Sequence, residues 1–72
     1  MNEPRIKLVD TLPVNAARIR HRGTDVVELL PQPFPEAVRN VQYVLGPGWT
    51  EPEVEELVRT HCPGLPGTGG QS

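Results

Sequence analysis

The chain has a single cysteine, Cys62, so no disulfide can form within it. Its only serine is Ser72, which leaves no serine-based catalytic triad. His21, His61 and Cys62 are too few strong ligands for a closed tetrahedral zinc site, so no metal and no cofactor is expected. No apolar run is long enough to span a bilayer, and no membrane partner is expected. The formal net charge of −2 creates no global field drawing the protein to nucleic acid or an anionic surface. The N-terminal stretch MNEPRIKLVD has neither the charged start nor the apolar block of a secretory signal. With one unpaired thiol, this predicts a reducing, cytoplasmic setting. Lysine is nearly missing while arginine, proline, glycine, valine and alanine are common, a bias of high-GC bacterial or phage genomes.

What remains is enough for one small domain. At 72 residues, a chain buries only about 60% of its unfolded surface, and its core supplies roughly 3–5 kcal/mol. Such a domain depends on good capping, self-association or a partner.

The pattern predicts an α+β fold: a small β-hairpin or three-stranded antiparallel sheet, then an αα-hairpin and a disordered C-terminal tail. The domain spans residues 1–62 and the tail residues 63–72. Residues 5–12 alternate loosely around Ile6 and Leu8 before Pro13, as in a short edge strand. Residues 16–30 fit a hairpin better than a short helix over residues 15–22 stopped by Gly23. A three-residue loop of Arg22, Gly23 and Thr24 pairs Ile19 with Val27 and Ala17 with Leu29 on an apolar face. It sets Arg18 opposite Glu28 on a charged face. A Gly23–Thr24 loop mixes the faces, so the longer loop is preferred, with Gly23 supplying positive φ.

Two helices follow. Phe34, Val38, Val41 and Leu45 make one apolar stripe over residues 35–45, with Pro35 in the first turn and Gly46-Pro47 as the stop. Thr50 and Glu53 form a capping box, with Trp49 poised as a hydrophobic staple on Val54. Val54, Leu57, Val58 and His61 then point inward until Cys62-Pro63-Gly64 ends the helix. The Pro/Gly-rich stretch after it cannot bury enough surface to offset its ordering entropy. Within it, Leu65-Pro-Gly-Thr-Gly69 matches the pattern read by sortases. A sorting signal needs an apolar segment and basic residues beyond it, so the match is read as chance or a cloned ligation handle.

Catalysis is not expected. His61 and Cys62 are helix neighbours pointing about 100° apart, and the preceding turns are rich in Glu rather than electropositive. Glu51, Glu53, Glu55 and Glu56 suit a helix start and its solvent face. The most suggestive set is Arg18, Arg20 and Arg22, which period-two spacing puts on one side of a strand. Its bland reading is a solvated face partly neutralised by Asp25 and Glu28. Its functional reading is an anion-recognition ribbon. Tyr43 and Trp49 join it as candidate partner contacts, because Trp, Tyr and Arg are enriched at binding hot spots.

The expected function is therefore a non-enzymatic protein-interaction module: an adaptor, accessory or structural subunit with a protein partner or self-association. The alternative is a small nucleic-acid-binding regulator using the arginine-bearing ribbon. A helix-turn-helix mode is disfavoured by the acidic N-terminus of the second helix, the end that would meet base edges, and the ribbon mode by its few cations and the repulsion from that acidic helix.

Overall fold

A computed structural model of the chain describes residues 3–67. Three strands, β1 (Arg5–Leu8), β2 (Ala16–His21) and β3 (Thr24–Leu29), precede two helices, α1 (Phe34–Leu45) and α2 (Glu51–His61). The α+β class and the helix order are as the sequence implies. The sheet order is β1-β3-β2, with β2 antiparallel and β1 parallel to the central β3. The sheet is therefore mixed, which corrects the antiparallel expectation. The chain leaves β1, returns as β2 and turns back as β3 between them, so β1 and β3 run the same way.

Both helices pack on one face of the sheet. From the sheet, Ile6, Val27 and Leu29 enter the core. Helix α1 contributes Phe34, Ala37, Val38, Val41 and Leu45, and α2 contributes Val54, Leu57 and Val58. The helix starts follow local chemistry. Pro35 sits in the first turn of α1, where the proline's missing N–H has no helical partner to lose. At α2 the Glu53 carboxylate accepts from the Thr50 backbone N–H at 2.9 Å and from the Thr50 hydroxyl at 3.1 Å. Trp49 is half-buried against the core beside this cap, as a staple should be.

The hairpin register differs from the expectation by one residue. Ile19 pairs with Val26, Arg18 with Val27 and Arg20 with Asp25, around a two-residue Arg22–Gly23 turn. Arg22 has φ 54° and Gly23 φ 80°, the paired positive values of a type I′ turn. That turn's twist matches the flanking strands, which outweighs the cost of a left-handed arginine. Because side chains alternate, the one-residue shift moves every β2 side chain to the opposite face. Ile19 leaves the core side and is 40% exposed. The expected pairing of Arg18 with Glu28 is replaced by an Arg20–Asp25 contact at 3.5 Å.

The boundary at residue 63 also shifts. Leu65 is buried at 7% exposure within the main core, and the Pro66 carbonyl accepts from the Phe34 N–H at 2.7 Å. That N–H is one of the orphan donors of the α1 start, so the strap stabilises a helix end. Part of the expected tail, residues 65–66, thus docks on the domain, and residues 68–72 lie outside the described part of the chain. The sortase-like match is split: its leucine is in the core, and Thr68 and Gly69 fall outside the described residues.

Candidate interaction surface

Cross-strand partners share a face, so the sheet has two distinct sides. Arg18 and Arg20 stand on the helix-covered side, with Ala16, Val27 and Leu29. Arg5, Lys7, Ala17, Ile19, His21, Val26 and Glu28 stand on the other, where His61 at the end of α2 reaches the rim of a groove. Val26 is only 9% exposed, in the groove it shares with Arg5, Lys7, Ile19, His21, Glu28 and His61. The Ile19–Val26 pair thus forms an apolar centre bordered by Arg5, Lys7 and His21, with Glu28 the one carboxylate.

The three candidate arginines do different things. Arg18 Nη2 donates to the carbonyls of Val44 at 3.3 Å and Leu45 at 3.1 Å. Helix α1 has no basic residue of its own in its last turn. Arg18 supplies that cation from a strand, satisfying orphan carbonyls at the negative end of the helix dipole. Arg20 meets Asp25 across the hairpin. Arg22 is a turn residue, not a strand residue. The sequence therefore brings Arg18 and Arg20 to one side of β2, and sets Arg22 at its tip.

Tyr43 and Trp49 are separated. Tyr43, on α1, is 88% exposed and overhangs a groove beside β2 lined by Val14, Asn15, Ala16, Asn40 and Val44. Val14 is itself 56% exposed. The groove holds about 240 Å³, smaller than a ligand pocket of roughly 300–1,000 Å³ and closer to the needs of one side chain. Trp49 lies at the other helix junction, where its carbonyl accepts from Gln42 Nε2 at 3.2 Å. Sequence reasoning missed Val14, Asn40 and the open-face residues. Only the correct register assigns Ile19 and His21 to the open face, and no short-range signal marks Asn40.

The Cys62 thiol is buried, and desolvation raises its pKa, opposite to what a nucleophilic thiolate needs. Among the described residues no group of three His, Cys, Asp or Glu side chains could hold a metal. No helix among them is long and apolar enough to cross a membrane. Compared with protein-family models, curated proteins and solved structures, the chain matches none of them.

Proposed function

We propose that this chain is a small non-enzymatic interaction module, an accessory subunit that binds a protein partner through the β2 side of its sheet in a reducing, cytoplasmic setting. The observation that carries the reading is that exposed apolar side chains flank β2 on both sides of the sheet. On the helix side Val14 and Tyr43 lie beside Arg18 and Arg20, and on the open side Ile19 lies beside His21. Exposed tyrosine and arginine beside an apolar groove match the composition of a binding hot spot. Nucleic-acid binding is the weaker reading, because three arginines neutralise few phosphates, each adding only about one unit to the salt slope, and α2 carries Glu51, Glu53, Glu55 and Glu56.

The test uses a Tyr43→Ala, Ile19→Glu double variant. Both side chains are exposed, so the variant should keep its fold. Wild type and variant are immobilised and exposed to extract from the native host, and random DNA is titrated separately at physiological salt. A host protein retained by the wild type and lost from the folded variant supports the module. Sub-micromolar DNA affinity abolished by Arg18→Ala, Arg20→Ala and Arg22→Ala together would overturn it in favour of the regulator.

A further inference from the structure

We infer that the free edge of β2 is a strand-addition site for an extended acidic segment of a partner protein, a mode that rests on the interaction-module reading and specifies it. Edge backbone groups come first. The Leu30 N–H donates to the Asn15 carbonyl at 3.1 Å, which fixes the ladder: odd-numbered β2 residues turn their backbone towards β3. Ala16, Arg18 and Arg20 therefore turn their N–H and C=O groups outward. No backbone bond to these groups occurs among the described residues. Proteins normally blunt such an edge with proline, a bulge, a covering element or charged side chains. Of these β2 has only the charges, Arg18 and Arg20, within Ala16–His21, and they repel a cationic strand while leaving the edge open to an acidic one.

Side chains then specify the occupant. A strand laid along β2 would alternate its own side chains between the two sides of the sheet. On the helix side its neighbours are Arg18 and Arg20, together with the groove under Tyr43. On the open side they are Ala17, Ile19 and His21. Carboxylates suit the first set and apolar side chains the second. Arg18 retains capacity for a carboxylate, because a guanidinium carries five N–H donors and the helix carbonyls engage Nη2. β2 itself carries no acidic residue.

A second copy of this chain fits poorly. Antiparallel pairing of two β2 edges about their middle would set Arg18 opposite Arg18 or Arg20 of the other copy, and like charges side by side in a sheet are destabilising. The densest acidic group of another copy, Glu51, Glu53, Glu55 and Glu56, lies on α2, whose backbone is already bonded internally. They offer charge without a ladder.

The experiment titrates the isotope-labelled full chain with a short blocked peptide in which Glu and Val alternate. Two controls accompany it: the same peptide with Lys for Glu, and one with a central Val replaced by Pro. Binding is read by amide exchange and by fluorescence anisotropy. The expected result is new protection at Ala16, Arg18 and Arg20 with the Glu peptide alone. Arg20→Glu should weaken its affinity roughly five- to tenfold, and rising salt should weaken it further. Equal binding of the proline peptide would overturn the inference, because a backbone ladder would not be its basis. So would shifts confined to Arg5, Lys7 and Val26, or concentration-dependent protection of the edge without peptide, which would assign it to a second copy. If the peptide fails while a host protein is still retained by the wild type alone, strand addition is wrong and the module reading stands.

Discussion

The two edges of the sheet are built differently. β1 has four residues and follows Pro4, which is buried and has no N–H to offer. The Val9 N–H donates to the Leu29 carbonyl at 3.0 Å, so Ile6 and Leu8 are the strand residues whose backbone turns outward. β2 has six residues, three of them outward-turned, with cations on it and an apolar groove beside it. A short edge begun by proline resists pairing, whereas a longer one with a charged, grooved border invites a selected partner. Under the proposed reading, recognition belongs to the β2 side and β1 is the less receptive edge.

Removing the strand that both edges share should break the contrast entirely. Leu29→Ala empties a fully buried position on β3 and should cost about 2–5 kcal/mol. That is comparable to the whole stability of a core this small. Loss of the cooperative unfolding transition in urea would show it. An intact transition with an unchanged midpoint would mean the core lies elsewhere.

Leu65→Ala should cost less, about 2 kcal/mol, because a position near the chain end can partly collapse. The effect should fall on the α1 start, where Pro66 accepts from Phe34. A midpoint unmoved by this substitution would mean that the strap does not dock.

Arg18→Met keeps the aliphatic stem and deletes the guanidinium that caps α1. A loss of about 1 kcal/mol is expected, shrinking as salt is added. The same change at Arg5, on the open face near the opposite edge, should leave the midpoint within about 0.5 kcal/mol. Equal effects at both sites would erase the distinction between the two sides of the sheet.

The smallest effect has the opposite sign. Arg22→Asn places a residue tolerant of positive φ where arginine has φ 54°. It should stabilise the hairpin by about 0.5 kcal/mol. Destabilisation would imply that the turn needs arginine for a contact of its side chain.

These residues also mark what the sequence made legible. Both helices could be read because their signals are local: the Thr50–Glu53 box, Pro35 and Pro52 in first turns, and apolar stripes at helical spacing. The hairpin was legible as an element but not in register. The turn that sets its register needs a left-handed arginine, a conformation uncommon outside glycine and asparagine. The apolar pairing of Ile19 with Val27 looked like core because the sequence does not reveal that Arg18 is needed at the end of α1. Parallel addition of β1 was not legible, since nothing in a four-residue strand encodes its direction. Leu65 escaped because one leucine among prolines and glycines has no periodicity. Of the candidate contacts, Tyr43 and the arginines lie around the β2 edge, while Trp49 belongs to the helix junction.

Amide hydrogen exchange along β2 in the free protein tests the central claim, an edge of fixed register open to a partner. The register predicts slow exchange at Ala17, Ile19 and His21, which face β3, and fast exchange at Ala16, Arg18 and Arg20, which face outward. The reversed pattern, with the even-numbered amides protected and the odd ones fast, would contradict the register and the strand-addition site together.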